Sequence, residues 1–318
     1  MKKLVVALSL FLAACGGGNT NQQAANGGGL TGEVQLSGAF ALYPLAVEWA
    51  AEFQKLNPGV KVDVQAGGAG KGITDALAQV VDFGMVSREL YQPEIEKGAL
   101  GFAVAKDAVV ATINANNPVI KDILAHGITS DDATKIWITQ EAKVWGDILG
   151  NGDQTPIHVY TRSDACGAAE TWAMWFGKKQ EDLQGTAIYS DPGLAAAIQK
   201  DPLGIGLNNI GYAYDSDTHK PNPGLLIAPI DSDGDGKISP EEYFYDTKND
   251  ITKAIADGKY PSPPARDLYL VSKGVPQNKA ALEFLKFVLS KDGQAKNEPA
   301  GYIAMPEEKI QKALGQLK

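Results

Sequence analysis

The sequence predicts an α/β protein with two lobes, in which each lobe is a sheet flanked by helices and two hinge strands join the lobes. Three observations lead to this prediction. Residues 36–88 alternate strand and helix patterns, residues 102–113 and 268–272 form two apolar crossings, and residues 280–289 supply a late amphipathic helix. Alternation of strands and helices is typical of right-handed βαβ units with a parallel sheet.

The first predicted helix begins at Tyr43 and Pro44. Proline suits the first helical position, because its missing N–H would have no partner there. An apolar stripe follows at helical spacing, formed by Leu45, Trp49, Phe53 and Leu56. After a stop at residues 57–59, a strand is predicted from the apolar residues that alternate with polar ones, Val60, Val62 and Val64.

A glycine-rich loop at residues 67–72 leads into a second predicted helix, with one apolar face formed by Ile73, Ala76, Leu77 and Val80. Residues 80–86 then indicate a buried strand that contains Asp82. In a parallel sheet, the loops after the strands gather at the carboxyl ends, where ligands bind. We therefore expect three segments to meet at this end of the sheet. The first is Ala41, Leu42 and Tyr43, the second is residues 68–70, which include Ala69 and Gly70, and the third is Asp82. The first two are helix N-termini, whose free N–H groups suit an anion.

The two crossings divide the chain into a discontinuous lobe I and a continuous lobe II. Lobe I is predicted to contain residues 31–106 and 268–318, and lobe II residues 107–267. Within lobe II we expect strands at 156–160, 204–206, 210–212 and 225–230. Helices are expected from Gly167 onward and at residues 194–198 and 251–256.

Residues 1–15 predict a signal peptide with a lipobox. Two lysines precede an apolar segment, residues 4–12, that is too short for a stable membrane span. Cys15 follows Leu-Ala-Ala, a pattern typical of bacterial lipoproteins, so we expect Cys15 to carry a lipid. The alternative is an ordinary secretory signal with a coincidental cysteine. Residues 16–30 are rich in Gly, Asn and Gln and predict a flexible tether.

The composition excludes some classes of function. A net charge of −9 without a basic stripe argues against nucleic-acid binding. Cys166 is the only cysteine besides Cys15, so the mature chain has no intramolecular disulfide. The sequence contains no recognisable nucleophile–base pair or catalytic metal set, and its three histidines are scattered. We therefore expect a binding protein, not an enzyme, and a monomer.

Residues 231–242, DSDGDGKISPEE, match the twelve-residue calcium loop of EF-hands without a gap. The pattern predicts ligands from side chains, one carbonyl and one bridging water, contributed by Asp231, Asp233, Asp235, Lys237, Ser239 and Glu242. A strand pattern precedes the loop where a paired EF-hand has a helix. We therefore predict a structural Ca²⁺ site that braces lobe II, with an acidic surface turn as the alternative.

Six ordered segments carry a resemblance to a known family. They are SGAFALYPLAVEWAAEF, the glycine loop, VDFGMVSRE, VYTRSDACGAAE, DPLGIGLNNIGYAY, and YPSPPARDLYLVSKG with its sequel ALEFLKFVLSKDGQAKNEPAGYIAMP. Together they resemble the periplasmic phosphate-binding proteins of phosphate ABC transporters over nearly all of the chain from residue 33. The resemblance implies a type 2 periplasmic-binding-protein fold, whose two lobes close on a ligand.

Arg162 is the cation we expect at the ligand. It ends a predicted strand just before a helix N-terminus formed by Cys166, Gly167 and Ala168. A guanidinium fork suits two oxygens of a tetrahedral oxyanion. The resemblance implies that the binding arginine of the family occupies this place and that Asp164 holds it. The alternative is a surface arginine paired with Asp164.

Asp82 is predicted to set selectivity. A carboxylate beside an anion is favourable only when the anion has a proton to donate, as phosphate has at neutral pH and sulfate has not. An unpaired buried acceptor costs on the order of 1–3 kcal/mol, so this acid would disfavour sulfate. The alternative is an aspartate in a local turn at the strand end.

Four positions depart from the family, because the hydroxyls that it supplies are replaced by Leu42, Ala69, Cys166 and Ala168. Hydrogen bonds to a charged group contribute roughly 1.5–3 kcal/mol each, so their loss would weaken affinity by several powers of ten. Backbone N–H groups survive any substitution and can still form an anion nest. Either phosphate binds through the backbone, Arg162 and Asp82, or the pocket takes another ligand.

The sequence therefore predicts a lipid-anchored receptor in the cell envelope that delivers phosphate or a related oxyanion to an ABC permease. Its lipid would be its only attachment to the membrane. The alternative is a calcium-dependent extracellular sensing or interaction protein that kept the fold without transport. The missing hydroxyls support the alternative.

Overall fold

The structure, a computed structural model, describes residues 29–317. The predicted signal peptide, the predicted lipidation site Cys15 and most of the predicted tether at residues 16–30 lie outside the described residues. Within the described part of the chain, no helix is both long enough and apolar enough to cross a bilayer.

One mixed sheet runs through the molecule, with strands in the order β2-β1-β3-β9-β4-β7-β5-β6 and β8 paired with β4. Its strands are β1 (Thr31–Gly38), β2 (Gly59–Ala66), β3 (Phe83–Val86), β4 (Ala99–Asn114), β5 (His158–Arg162), β6 (Thr186–Ile188), β7 (Gly204–Asn209), β8 (Leu225–Ala228) and β9 (Ala265–Lys273). β1 lies parallel to β2 and β3, whereas β9 runs antiparallel to β3 and β4.

Helices cover the sheet on both sides. They are α1 (Tyr43–Leu56), α2 (Ala69–Leu77), α3 (Gln92–Glu96), α4 (Ile120–His126), α5 (Ser130–Trp137), α6 (Gly146–Leu149), α7 (Gly167–Trp175), α8 (Asp191–Lys200), α9 (Ile210–Ala213), α10 (Lys248–Ala256), α11 (Lys279–Leu289), α12 (Lys291–Gln294) and α13 (Glu307–Gly315). Three residues of the predicted α1 stripe, Leu45, Trp49 and Phe53, are buried, whereas Leu56 at the end of the helix is 58% exposed. Trp49 Nε1 donates to Gly293 O at 2.8 Å, which ties α1 to the late helices.

The buried apolar residues form two separate cores. One core, which we call lobe I, contains residues of β1–β3, α1, α11 and the outer parts of β4 and β9. The other, lobe II, contains residues of β5, β7, β8, α7, α8 and α10 with the remaining part of β4. At the change from one core to the other, Asp107 of β4 is buried and its Oδ1 accepts from Arg266 Nε of β9 at 2.9 Å.

Burial raises the pKa of Asp107 above its ordinary value, although the charge of Arg266 opposes that shift. Replacing one partner of such a pair by a neutral residue leaves the other partner as a buried charge without compensation. The two crossing strands are therefore held to each other at the point where the lobes join.

Several elements differ from their predicted bounds. The second helix ends at Leu77, and Val80, expected on its apolar face, is 63% exposed. The reason is a turn in which Gln79 adopts a φ of 57°, so that β3 begins only at Phe83. Residues 210–212, expected to be extended, lie in the short helix α9, which packs on β4.

Candidate functional site

Two helix N-termini face each other across the junction of the lobes. The N–H of Gly70, in the first turn of α2, donates to the carbonyl of Ala165, just before α7, at 3.1 Å. A Cβ on Gly70 would lie 2.8 Å from the Cβ of Ala165, and one on Gly68 would lie 3.0 Å from Asp164 Oδ2. Glycine at these two positions therefore permits the close approach of lobe II, and Gly68 also has a φ of 89°.

Several backbone N–H groups just before α1 and at the starts of α2 and α7 have no acceptor among the described residues. Within residues 29–317, no hydrogen bond is formed by the backbone N–H of Ala41, Ala69, Gly167 or Ala168. The first turn of a helix has N–H groups without intrahelical partners, and the helix dipole makes that end positive. The cleft between α2 and α7 is therefore suited to an anion.

Arg162 lies at the end of β5, and its side chain is fully buried. Nε and Nη2 donate to the two carboxylate oxygens of Asp164 at 2.9 and 2.6 Å, and Nη1 donates to Asp191 Oδ2 at 2.6 Å. The predicted pairing with Asp164 is present, but Arg162 is not a surface residue. A guanidinium has five N–H donors, so two remain beyond these contacts.

Burial by itself lowers the pKa of Arg162, but the charges of Asp191 and Asp164 outweigh it and raise the pKa above its ordinary value. Arg162 is therefore always charged. Two carboxylates against one guanidinium leave the group of three with one net negative charge. The attraction for an anion must therefore come largely from directed N–H groups.

Asp191 begins α8 and is a member of the site that the sequence does not predict. Its Oδ1 accepts from the N–H and the side-chain amide of Asn209, at 3.2 and 2.6 Å. Asn209 Oδ1 in turn accepts from Arg266, which pairs with Asp107 on the crossing strands. A buried polar chain thus links Arg162 to the junction of the lobes. The helix-start pattern Ser-Asp-Pro-Gly at residues 190–193 was the available signal in the sequence.

The prediction that Asp82 meets residues 41–43 and 68–70, at the starts of α1 and α2, is wrong. Asp82 lies before β3, at its amino end, where Oδ2 accepts from the N–H of Gln35 at 2.8 Å and Oδ1 accepts from Asn278 Nδ2 at 3.0 Å. β3 ends at Val86, four residues later, which is about 13 Å along a strand. Asp82 therefore forms a local structural contact on the opposite edge of the sheet and cannot set ligand selectivity.

Ser87 takes the place at which Asp82 was expected. It follows the last residue of β3 and is only 2% exposed. A Cβ on Gly167 would lie 2.3 Å from Ser87 Oγ and 2.2 Å from the Ser87 carbonyl oxygen, so Ser87 touches the first turn of α7. The predicted strand at residues 80–86 also ends at Val86, so Ser87, the residue directly after it, could have been identified from the sequence.

The start of α1 contributes backbone rather than side chains. Leu42 is fully buried, and its side chain belongs to the core of lobe I. The carbonyls of Phe40 and Ala41 accept from Tyr212 at 3.1 Å and from Tyr302 at 2.7 Å. These two contacts fix the entrance to α1, with Tyr212 reaching it from lobe II.

Cys166 caps α7. Its Sγ accepts from the N–H of Ala169 at 3.4 Å, and its own N–H donates to the side chain of Gln180 at 3.0 Å. Burial raises the pKa of the Cys166 thiol to about 12, despite the nearby charge of Arg162. The thiol is thus neutral and serves as a helix cap, which does not fit a nucleophile.

The acidic loop is a second region with grouped polar atoms. Carboxylate oxygens of Asp231, Asp233 and Asp235 all lie within 4.8 Å of one another. Glu242 accepts from the N–H of Ser232 at 2.8 Å and from the N–H and hydroxyl of Ser239 at 3.1 and 2.8 Å. The donor set consists of oxygens only, which suits a hard cation such as Ca²⁺.

The acidic loop is attached to the body of lobe II through main-chain contacts. The N–H of Ile238 donates to Ala125 O at 2.8 Å, and the N–H of Asp231 donates to Ile128 O at 3.2 Å. A Cβ on Gly127 would meet the Ile238 side chain at 2.4 Å, so Ile238 packs tightly on the end of α4. A change in the conformation of the acidic loop would therefore alter the packing at the end of α4.

The chain matches a family model described as a PBP superfamily domain over residues 21–292. The phosphate-binding protein PstS of Staphylococcus haemolyticus (strain JCSC1435) is 26% identical over 321 residues, which covers 99% of this chain and 94% of that protein. The phosphate-binding protein PstS of Staphylococcus saprophyticus is 26% identical over 308 residues, covering 95% and 88%.

Two solved structures show the same fold. A phosphate ABC transporter substrate-binding protein with bound phosphate from Clostridium perfringens aligns with a TM-score of 0.69 at 22% identity, covering 86% of this chain and 100% of that chain. An ABC-type phosphate transport receptor from Vibrio cholerae aligns with a TM-score of 0.61 at 19% identity, covering 86% and 100%. The predicted fold is confirmed, and because the family model matches most of its length, this chain belongs to the PBP superfamily.

Proposed function

We propose that this protein is a receptor for phosphate or a closely related oxyanion, which it binds between α2 and α7. The observation that carries the proposal is the pair of opposed helix N-termini with acceptor-free N–H groups beside buried Arg162. Relatives along almost the whole chain are named phosphate-binding proteins, which supports phosphate as the first ligand to test. The protein would do no chemistry on its ligand, and closing around it would be its action.

We further propose that the receptor delivers its ligand to an ABC permease and is held to the membrane by a lipid on Cys15. The transporter role is supported by the description of the structural neighbour from Clostridium perfringens as a substrate-binding protein. The lipid is supported by the Leu-Ala-Ala-Cys pattern alone. Mass spectrometry of the protein extracted from membranes tests the lipid, because a diacylated Cys15 at the N-terminus is expected and an unmodified one would contradict it.

Titration calorimetry of the chain from residue 29 onward with phosphate tests the binding proposal. We expect saturable heat with one site and a dissociation constant of about 100 μM or tighter, which corresponds to roughly −5.5 kcal/mol or stronger. Absence of heat with phosphate, arsenate, sulfate and molybdate alike would overturn the proposal.

We also propose that the acidic loop binds one Ca²⁺ and that the ion has a structural role. Asp231, Asp233, Asp235 and Glu242 supply the carboxylates, Lys237 a carbonyl and Ser239 a water-mediated contact. The proposal is supported by the grouping of three carboxylates and by the gap-free sequence pattern. A bound ion would offset the repulsion among acids that no cation of the described residues pairs with.

A second candidate function is calcium-dependent sensing or interaction without transport. It is favoured by the absence of side-chain hydroxyls at Leu42, Ala69 and Ala168 and by the two carboxylates that share Arg162. The two candidates differ in the calorimetric result. Calcium binding, together with no heat of binding for any of the oxyanions, would favour the second candidate.

A further inference from the structure

Two aromatic rings from opposite lobes meet beside the cleft. Phe40 lies shortly after β1 in lobe I, and Tyr189 directly follows β6, which pairs with β5 of lobe II. Their ring centroids are 6.0 Å apart with an interplanar angle of 85°, which is an attractive edge-to-face arrangement. Neither ring belongs to the two apolar cores that the described residues form. The pair is therefore a contact between the lobes and not part of the packing of either lobe.

The two rings lie on the solvent side of the buried cation. Tyr189 is 58% exposed, Phe40 is partly buried, and the side chain of Arg162 is fully buried. The guanidinium carbon of Arg162 lies 5.8 Å from the centroid of the Phe40 ring, within the range of a cation–π contact. All three residues lie at the carboxyl ends of their strands, where a sheet of this kind binds ligands. The rings therefore cover the Arg162 side of the cleft.

The backbone beside Tyr189 fixes the position of its ring. Ser190 has a φ of 68°, a conformation that residues other than glycine rarely adopt. The N–H of Ser190 donates to Asp164 Oδ1 at 3.2 Å, and the same carboxylate accepts from Arg162. Strain of this kind persists where the surroundings impose it, and it is concentrated at functional sites. Tyr189 is thus held over the cleft by the acid that also positions the cation.

The two rings are suited to hold the lobes together rather than to hold the anion. A phenylalanine ring has no hydrogen-bond donor, and the face of an aromatic ring carries negative charge. An attraction between the lobes favours the closed arrangement over the open one. A contact that forms only on closure acts after the anion has entered, so it slows the release of the anion more than its entry.

We propose that Phe40 and Tyr189 form an aromatic clasp across the mouth of the cleft and that this clasp slows the release of the bound anion. The inference rests on the proposed function, because the clasp closes the same cleft. It adds to that function a determinant of release that is not itself a ligand of the anion.

The test measures the dissociation rate constant of phosphate from ³¹P NMR line shapes and the dissociation constant from calorimetry. Y189A should release phosphate roughly 2- to 10-fold faster, the range that an aromatic pair supplies. Its association rate constant should stay within about twofold of the wild type. Y189F should behave as the wild type, because it keeps the ring and loses only the hydroxyl. Since Tyr189 is exposed and lies outside both cores, Y189A should fold with an unchanged melting temperature.

A double-mutant cycle separates the clasp from the other contact of Phe40. F40A also removes the ring from Arg162, so it should accelerate release more than Y189A does. If the two rings act as a pair, Y189A should have no further effect once Phe40 is absent. Full additivity of the two substitutions would refute the clasp.

The matched control is Y243A. Tyr243 is also an exposed tyrosine of lobe II, at 46%, but its hydroxyl donates to Asp246 at 2.8 Å, beside the acidic loop. Y243A should leave the dissociation rate constant of phosphate at the wild-type value. An equal acceleration in Y243A and Y189A would show an effect that does not depend on the cleft and would overturn the assignment of Tyr189.

The possible failures are distinguishable. A wild type that binds none of the oxyanions refutes the proposed function, and the role of the clasp in release is refuted with it. A wild type that binds phosphate, together with a Y189A variant that releases it at the wild-type rate, refutes the clasp alone. An acceleration in Y189F as large as that in Y189A would assign the effect to the hydroxyl and would equally refute the pairing of the rings.

Discussion

The cleft between the lobes and the acidic loop are both proposed ion sites, but they are built in opposite ways. The cleft gathers Ser87, Arg162 and the starts of α2 and α7 from distant parts of the chain and buries them. The loop uses twelve consecutive residues, and Asp233 and Asp235 are exposed. In the cleft each acid is paired with Arg162, whereas in the loop the acids face one another.

This difference determines what binding can do in each region. An anion bound in the proposed cleft site would contact both lobes, so its binding energy would favour the closed arrangement over an open one. A cation in the loop contacts lobe II alone and can only stabilise the local structure. Substitutions in the cleft should therefore change affinity and shape together, and substitutions in the loop should change stability alone.

The largest effect is expected from R162A. Removing the guanidinium leaves Asp164 and Asp191 buried without their cation, which should lower the free energy of unfolding by about 3–5 kcal/mol. Phosphate affinity should fall by at least roughly 100-fold, because the two remaining N–H donors are lost as well. Chemical denaturation and calorimetry measure the two effects.

R162K serves as the control for charge. It keeps the cation but not the planar fork, so it should recover part of the stability without restoring affinity. If R162A bound phosphate with wild-type affinity, Arg162 would not be part of the binding site. The contrast drawn between the cleft and the loop would then be wrong.

G70A should separate closure from folding. A Cβ at this position would lie 2.8 Å from Ala165 Cβ of the opposite lobe, and overpacking of this kind costs about 1–3 kcal/mol in the closed state. Phosphate should bind roughly 5- to 150-fold more weakly, and the radius of gyration with phosphate should exceed that of the wild type.

G315A is the matched helix variant, since a Cβ on Gly315 in α13 would meet no atom within 4 Å. It should leave affinity unchanged. If G70A binds and compacts like G315A, the close approach of α2 to Ala165 is not part of ligand binding.

Calcium should affect stability and not anion affinity. With a dissociation constant of about 0.1–1 mM, typical of extracellular sites, 10 mM Ca²⁺ adds about 1.4–2.7 kcal/mol and raises the Tm by a few degrees. D231N/D233N should lose this rise, and Mg²⁺ should give a smaller one. Identical melting curves in Ca²⁺ and in chelator would refute the loop site. A change in phosphate affinity on adding Ca²⁺ would show that binding in the loop and binding in the cleft are coupled.

The smallest effect is expected from C166S. A hydroxyl is a better donor than a thiol, so the variant should bind phosphate up to about tenfold more tightly. C166A should bind as the wild type does, because Sγ caps Ala169 and is not needed for the anion. Calorimetry under identical buffer conditions measures both, and weaker binding by C166S would show that the pocket requires the larger sulfur.

The elements with strong local signals could be predicted from the sequence. Pro44 and the apolar stripe predicted α1. The acidic loop was recognisable because its ligand pattern is contiguous in the sequence. The crossing strands followed from apolar runs on both sides of Lys106 and Asp107, which β4 joins into one strand.

The cleft could be predicted only in part, because its members depend on where each strand ends. The predicted strand at residues 80–86 contains Asp82 and ends at Val86, as β3 does. Because of the turn at Gln79, however, Asp82 precedes β3 and lies at its amino end, whereas Ser87 follows its last residue. Asp191 was missed because its contact with Arg162 joins residues 29 apart. No pattern along the chain reports such a pairing.

The most direct test of the account is a crystal structure obtained with arsenate, located by its anomalous signal. We expect a peak between α2 and α7, within hydrogen-bond distance of the N–H groups of Gly167 and Ala168. Strong anomalous density elsewhere on the molecule, with a cleft that stays closed and free of arsenate, would contradict it.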